Sequence, residues 1–139
     1  MAQKIRDVMT ASPITLTADQ PVNDAARAMK EHDIGDVIVL DRDKMCGIVT
    51  DRDIVVRVLA SGRDTMTTKL RDVCSSDVAT VAPSDDINAA IKIVRERSVR
   101  RIPVMDDGKP VGIVSIGDLA MERDPKSALA DVSAARANR

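Results

Sequence analysis

Two stretches of the chain repeat one order of hydrophobic and polar positions. A shift of 65 positions, which places Arg6 on Arg71, aligns residues 5–57 with residues 70–122 without a gap. The run Gly-Ile-Val-Thr at 47–50 then falls on Gly-Ile-Val-Ser at 112–115. Matching runs at a single register indicate an internal duplication.

Each copy predicts the same five elements. A short strand (14–16, then 79–81) precedes a helix, a pair of strands follows (37–40 with 45–49, then 102–105 with 111–114), and a second helix begins at Thr50 or Ser115. The first helix carries an apolar stripe at helical spacing, which predicts one buried face. The stripe consists of Val22, Ala25, Ala26 and Met29 in the first copy and Ile87, Ala90, Ile91 and Val94 in the second.

These elements predict an α/β (α+β) fold of two tandem βαββα repeats related by a pseudo-twofold axis. The first repeat spans 5–60, a linker 61–69 and the second repeat 70–122. For the tail, 123–139, a helix and disorder both stay open. Asp107-Gly108 predicts a type I′ hairpin turn, whose two central residues both need positive φ.

The second helix of the first repeat is apolar on nearly every side over residues 54–59. Two explanations stay open. The helix is buried within the core of the monomer, or its faces are covered by the other repeat and by a second protomer. The second explanation predicts a homodimer.

Composition excludes several classes of function. The chain has 139 residues, a formal net charge of −1 and no aromatic residue, so neither nucleic-acid binding nor base stacking is expected. No membrane span or signal peptide is predicted, and the expected location is the cytoplasm. Cys46 and Cys74 have no metal-ligand spacing and are expected to be reduced core residues. His32, the one histidine, lies at a predicted helix end, and no metal site is expected.

The repeated pattern resembles the cystathionine-β-synthase (CBS) domain family in its tandem form, the Bateman module. The resemblance rests on Val-Met-Thr at 8–10 and Val-Cys-Ser at 73–75, on His-Asp-Ile-Gly at 32–35 and Ser-Val-Arg-Arg-Ile-Pro-Val at 98–104, and on the Gly-to-Asp runs at 47–53 and 112–118. It covers residues 5–122 and implies a stand-alone regulatory protein. It also implies that AMP, ADP, ATP or S-adenosylmethionine binds in clefts between the repeats, that no cofactor is required, and that the chain dimerises.

Thr50 and Ser115 stand where a strand turns into a helix, so a phosphate could meet the hydroxyl and the exposed backbone N–H groups. Asp53 and Asp118, three residues on, are candidates to accept hydrogen bonds from a ribose diol. The same spacing is also a capping box, in which the acid binds the start of its own helix. Both explanations stay open.

Arg100 and Arg101 are candidate phosphate ligands, because the resemblance places this strand entry beside a cleft. The alternative for both is a solvated helix C-terminus, where the helix dipole favours cations. Gly35 and Asp36 occupy the equivalent places in the first repeat, where an acid would repel phosphate. We therefore predict asymmetric occupancy, with the stronger site around Ser115, Asp118 and Arg101. Arg52 could supply a cation, and its alternative is an exposed first-turn residue. By their position in the family, the resemblance implies further candidates beside adenine, each equally a core strand residue: Ile14, Thr15, Val37, Thr80, Val81 and Ile102.

The function predicted from the sequence is a non-enzymatic regulatory module that binds an adenosine-type nucleotide and signals to a protein partner by conformational change. The alternative is a ligand-free dimeric scaffold or stress-response protein that uses the fold for interaction alone. An enzyme is rejected, because the sequence offers no grouping of nucleophile, base and orienting residue.

Overall fold

The structure, a computed structural model, describes residues 3–123. In chain order its elements are α1 (Ile5–Val8), β1 (Thr10–Ala11), β2 (Thr15–Thr17), α2 (Val22–His32), β3 (Asp36–Asp41), β4 (Lys44–Thr50), α3 (Asp51–Asp53), a π-helix (Ile54–Leu59), a 3₁₀ helix (Leu70–Asp72), α4 (Ile87–Arg97), β5 (Arg101–Asp106), β6 (Lys109–Ser115) and α5 (Ile116–Arg123). The predicted α/β class and the two repeats are confirmed. The tail predicted from residue 123 lies, apart from Arg123, outside the described residues.

The chain forms two compact units, and their boundaries differ from those of the two sequence repeats. Residues 13–78 form one, here called the continuous unit. Residues 3–12 and 79–123 form the described part of the other, here called the split unit. The opening residues of the first repeat therefore belong to the unit that holds most of the second.

The continuous unit contains a three-stranded sheet in the order β2-β3-β4, with β2 parallel and β4 antiparallel to β3. One face carries α2, whose predicted apolar stripe packs on the sheet as the helical spacing requires. The core consists of Ala18, Val22, Ala25, Ala28, Met29, Val37, Val39, Val49, Ile54, Val58, Leu70 and Val73, all buried.

The split unit contains a sheet in the order β1-β6-β5, all antiparallel, and its helices are α1, α4 and α5. Its core is separate from that of the continuous unit. It consists of Ile5, Val81, Ile87, Ala90, Ile102, Val104, Val114 and Leu119.

The strand predicted at 79–81 is reduced to a single parallel bridge between Val81 and Val104. The reason is Pro103. In the continuous unit the N–H of Ile38 donates to the carbonyl of Ile14 over 3.0 Å. Pro103 occupies the place of Ile38 and has no N–H, so the equivalent bond to Ala79 cannot form.

Each sheet is completed by the leading segment of the other repeat. Thr10 pairs with Ile113 of β6, and Ser75, at the equivalent position of the second repeat, forms a bridge with Ile48 of β4. The two segments run so close to their strands that the residue just before each paired isoleucine, Gly47 or Gly112, has no room for a side chain. A Cβ added at Gly47 would overlap the carbonyl of Ser75, and one added at Gly112 would lie 2.6 Å from the Met9 sulfur.

The hairpin turns and helix ends are the same in both copies. Both central residues of the second turn, Asp107 and Gly108, have positive φ, which confirms the predicted turn type. The first turn uses Arg42 and Asp43 in the same conformation without a glycine. The helices α2 and α4 each end at a left-handed residue, Asp33 and Ser98 respectively.

The helix predicted after Thr50 is present, as the single turn α3 continued by the π-helix. Ile54 and Val58 are buried in the core of the continuous unit, but Val55, Val56 and Leu59 are 55%, 47% and 59% exposed. A helix buried on every side, one of the two explanations, is therefore wrong. Within residues 3–123, no helix combines the length and the apolar character that crossing a bilayer demands.

Candidate functional site

Two predicted ligand residues of the split unit, Ser115 and Asp118, lie at the corner where β6 turns into α5. The N–H of Ser115 donates to Asp118 Oδ2 over 2.9 Å, and the N–H of Asp118 donates to Ser115 Oγ over 3.1 Å. These two bonds form the reciprocal capping box, in which each side chain satisfies a backbone donor at the helix start. Only one carboxylate oxygen of Asp118 takes part in it.

The corner of the continuous unit, where β4 turns into α3, repeats this geometry. The N–H of Thr50 donates to Asp53 Oδ2 over 2.9 Å, and the N–H of Asp53 donates to Thr50 Oγ1 over 3.1 Å. The capping role that the sequence left open is therefore present in both copies. Whether the aspartates also bind ribose stays a prediction.

The backbone N–H groups at both corners are largely occupied, which corrects the expectation that they are exposed to a phosphate. Besides the two capping bonds, the N–H of Ile116 donates to the carbonyl of Arg100 over 2.8 Å, and that of Asp51 donates to the carbonyl of Gly35 over 3.0 Å. A helix start whose donors are already satisfied has little left to offer an anion. Any phosphate would have to be held by side chains.

The residue opposite the corner hydroxyl differs in charge between the two units. Arg101 lies directly opposite Ser115 in the ladder of β5 and β6, whereas Asp36 lies directly opposite Thr50 in the ladder of β3 and β4. Side chains on directly opposed residues lie within about 5.5 Å of each other at Cβ. The split corner therefore combines a guanidinium with a hydroxyl and one carboxylate, that of Asp118, whereas the continuous corner combines a hydroxyl with two carboxylates, those of Asp36 and Asp53.

The second carboxylate oxygen also has a different neighbour in each unit. Asp53 Oδ1 lies 3.7 Å from Nε of Arg57, one turn further along its helix. The equivalent position after Asp118 is Glu122, an acid, which cannot form this ion pair. Arg57 also donates from Nη1 to the carbonyl of Val73 over 3.2 Å, so it is fixed at the continuous corner.

The other predicted ligand residues divide into buried and exposed groups. Val37, Val81 and Ile102 belong to the cores, which is the alternative role predicted for each of them. Ile14 is half-buried and packs against the core of the continuous unit. The side chains that remain exposed are Thr15, Arg52, Thr80 and Arg100.

A depression of about 640 Å³ lies elsewhere, at the turn end of β3 and β4, and it contains none of the predicted ligand residues. The guanidinium of Arg71 binds Asp19 there and approaches Asp41 to 3.5 Å. Its hydrogen bond and positive charge hold the pKa of Asp19 below the usual value. The lining is Thr17, Ala18, Asp19, Leu40, Asp41, Arg42, Lys44 and Arg71.

The two cysteines form a contact that no pattern in the sequence predicts. The sulfurs of Cys46 and Cys74 are 3.4 Å apart, and both residues are half-buried. Burial, and then the hydrogen bond with Cys46, raise the pKa of Cys74 to about 11. The two cysteines are 28 residues apart in sequence, and this spacing does not predict a contact between them. Among residues 3–123 no cluster of three or more His, Cys, Asp or Glu side chains could hold a metal ion.

The CBS domain matches residues 5–60 and 70–125. The CBS domain-containing protein YhcV of Bacillus subtilis is 34% identical over 119 residues, which cover 86% of this chain and 84% of YhcV.

Two solved structures share the fold. Hypoxic Response Protein I, solved with two coordinated zinc ions, has a TM-score of 0.77 at 33% identity, covering 85% of this chain and 97% of that one. Hypoxic response protein 1 also occurs among the relatives from Mycobacterium tuberculosis. The hexameric CBS-CP12 protein from bloom-forming cyanobacteria has a TM-score of 0.79 at 28% identity, covering 94% and 80%. Proteins with this fold therefore form oligomers, and one holds zinc.

The internal duplication, the paired capping corners and the two family matches all coincide on the same residues. The chain belongs to the CBS-domain family, as a tandem pair of CBS domains.

Proposed function

We propose that this chain is a non-enzymatic regulatory module whose split corner binds an adenosine-type nucleotide. One observation carries the proposal: Arg101 lies opposite Ser115, and Asp118 keeps Oδ1 outside its cap. A cation, a hydroxyl and a carboxylate oxygen thus stand at a single corner. These are the groups that phosphate and a ribose diol require.

Each group has a separate task in this proposal. Asp118 Oδ1 accepts hydrogen bonds from the ribose hydroxyls, while Oδ2 keeps the helix capped. Arg101 binds the phosphate with its planar fork, assisted by the exposed Arg100. Adenine is held by backbone groups and aliphatic side chains near Thr80, because the chain has no aromatic residue on which a base could stack.

Regulation follows if the nucleotide binds one conformation of the chain more tightly than another. The population then shifts toward the bound form by as much as the two affinities differ. No chemical step on the nucleotide is required. The proposal therefore assigns the chain a sensing role, with an unidentified protein partner to receive the signal.

The first experiment measures binding directly. Without Trp or Tyr the protein barely absorbs at 280 nm, so a co-purified nucleotide would dominate the ultraviolet spectrum. Calorimetric titration with AMP, ADP, ATP and S-adenosylmethionine then identifies the preferred ligand. Absence of heat with all four, together with a spectrum free of nucleotide, would contradict the proposal.

Asp118→Ala and Asp53→Ala form a matched pair that separates ligand binding from capping. Each removes one capping box and should lower the free energy of unfolding by about 1 kcal/mol. Only Asp118→Ala should also weaken nucleotide binding, by about tenfold or more, because only its carboxylate is proposed to reach the ribose. An equal change of affinity in both variants, or in neither, would leave the aspartates as caps alone.

The exposed apolar surface of the π-helix favours a second candidate function, a dimeric scaffold. Val55, Val56 and Leu59 expose about half or more of their side chains. Neighbouring exposed apolar residues mark sites of protein association. Leu59→Asp should weaken self-association, measured by sedimentation, by at least about tenfold. A chain that sediments as a monomer at every concentration would exclude this candidate.

A further inference from the structure

The strongest unassigned feature of the molecule is the pair of thiols in the continuous unit. Cys46 lies on β4, and Cys74 follows the 3₁₀ helix. Their sulfurs are 3.4 Å apart, and Cys74 Sγ lies 3.9 Å from the carbonyl oxygen of Arg71. A disulfide bond is about 2.05 Å long, so the sulfurs need to approach by about 1.4 Å.

The backbone holds the two thiols in register. Ile48 and Ser75 exchange two hydrogen bonds, 3.2 Å from the N–H of Ile48 and 3.0 Å from the N–H of Ser75. Gly47 lies between the paired Ile48 and Cys46, and its missing side chain leaves room for the Ser75 carbonyl. The cysteines are thus neighbours because of a backbone bridge, and their contact does not depend on flexible side chains alone.

We propose that Cys46 and Cys74 form a reversible intramolecular disulfide by exchange with a small disulfide such as oxidised glutathione. One cysteine thiolate attacks a sulfur of the oxidant and forms a mixed disulfide, and the first glutathione leaves as a thiolate. The second cysteine thiolate attacks the cysteine sulfur of this mixed disulfide, and the second glutathione leaves as a thiolate. The two glutathione thiolates take up the two protons that the cysteines lose. Each cysteine loses one proton and the pair loses two electrons. The sulfur–sulfur bond of the oxidant breaks, and its two sulfurs leave as two molecules of reduced glutathione.

The partial burial of both thiols and the raised pKa of Cys74 predict a slow reaction whose rate depends on pH. Only the thiolate attacks a disulfide, and Cys74, with its pKa raised to about 11, is protonated at neutral pH. The rate should therefore rise as the pH rises. Both cysteines are half-buried, so a small disulfide has partial access. In a reducing compartment the pair would be a dithiol, which becomes oxidised only when the glutathione pool does.

The bond would affect a particular part of the chain. Cys74 lies four residues before Val78, where the chain leaves the continuous unit. A covalent link to β4 would secure this exit segment, which is otherwise held by the bridge between Ile48 and Ser75. A disulfide between Cys46 and Cys74 would close a loop across 28 positions of the chain. This loop restricts the unfolded chain, so the oxidised protein should melt about 10 °C higher.

The test uses the unaltered protein, incubated with oxidised glutathione and quenched with acid. We expect a chain that is two hydrogen atoms lighter by intact mass, has no disulfide to a second chain and has no maleimide-reactive thiol. Before the quench, the oxidised protein should melt about 10 °C higher, and dithiothreitol should reverse both changes. Persistent free thiols in excess oxidant, stable glutathione adducts or disulfide-linked dimers would each overturn the proposal.

Cys46→Ser and Cys74→Ser are the controls. Each variant keeps a single thiol, so the internal bond cannot form and the melting temperature should not depend on the oxidant. An oxidant-dependent rise of the melting temperature in either variant would show that the effect has another origin. The mass measurement on the unaltered chain decides the proposal even if a variant fails to fold.

Discussion

The continuous and split units share their corner hydrogen bonds but differ in the charges around them. Both corners have a hydroxyl that accepts from the aspartate N–H over 3.1 Å and an aspartate that accepts over 2.9 Å. Arg101 in one unit is replaced by Asp36 in the other. The capping geometry thus belongs to the shared scaffold, and in the proposed function the neighbouring charges decide which copy binds a phosphate.

A second difference concerns the aspartate oxygen that takes no part in the capping box. In the continuous unit Arg57 lies 3.7 Å from Asp53 Oδ1 and competes with any ligand there. In the split unit Glu122 takes that position and adds a further negative charge, which favours a hydrogen-bond donor such as a ribose hydroxyl over an anion at Oδ1. Two substitutions therefore distinguish the corner proposed to bind a nucleotide from the corner whose carboxylate is paired with its own arginine.

The largest expected difference in stability comes from the two glycines at the sheet edges. Gly47→Ala should lower the free energy of unfolding by about 3 kcal/mol, because its Cβ would overlap the carbonyl of Ser75, which is backbone and cannot move aside. Gly112→Ala should cost about 1 kcal/mol, because its closest neighbour is the flexible side chain of Met9. Urea unfolding of both variants measures the difference.

Equal destabilisation by the two glycine variants would show that the two sheet edges accommodate an added Cβ equally well. A larger loss in Gly112→Ala would mean that the Thr10 carbonyl, 2.9 Å from the added Cβ, is the harder obstacle. Either result would contradict the difference drawn between the two edges.

The next largest effect concerns the charge opposite the hydroxyl. Arg101→Asp copies the continuous corner into the split one and should weaken nucleotide binding by about 100-fold, or about 2.7 kcal/mol. Arg101→Lys should lose about tenfold, because it keeps the charge but not the planar fork. Calorimetry measures both affinities, and circular dichroism confirms that the variants fold.

Asp36→Arg is the reciprocal change and should tighten binding at the continuous corner. Without it, we expect unequal affinities for the two corners. Two sites of equal affinity in the unaltered protein, or an affinity that does not depend on residue 101, would contradict the asymmetry.

Much of the fold could be predicted from local patterns. The repeat, the apolar stripes, the second turn and the helix after Thr50 depend on residues close in sequence, where spacing alone carries the signal. The capping box could also be recognised, because its partners are three residues apart. The sequence could not decide between capping and ribose binding, since one aspartate has two oxygens and can serve both.

The unpredicted features depend on contacts distant in sequence. Thr10 pairs with Ile113, and no hydrophobic pattern selects one sheet edge over another for so short a segment. The contact of Cys46 with Cys74 follows from the bridge between Ile48 and Ser75, which lies in the continuous unit with both cysteines. The loss of the strand at 79–81 could have been foreseen, because Pro103 lies at a strand position that has to donate a hydrogen bond.

The smallest expected effect distinguishes the units in acid. Arg71 binds Asp19 in the continuous unit, whereas Ser84 occupies the position of Asp19 in the split unit. Because the folded pKa of Asp19 is lowered, its ion pair stabilises the protein above the unfolded pKa of about 3.9 and is lost as the pH falls through the folded pKa. Both side chains are exposed, so the effect should be slight and screened by salt.

Asp19→Asn should therefore reduce the loss of stability on acidification, measured as the urea midpoint between about pH 2 and pH 7 at low salt. Ser84→Asn is the matched control, and its acid dependence should equal that of the unaltered chain, because it replaces one neutral side chain with another. A difference for Asp19→Asn that persists in about 1 M salt would contradict an exposed ion pair, because screening at that concentration acts within about 3 Å. Identical acid dependence in all three proteins at low salt would show that Arg71 does not stabilise the Asp19 carboxylate.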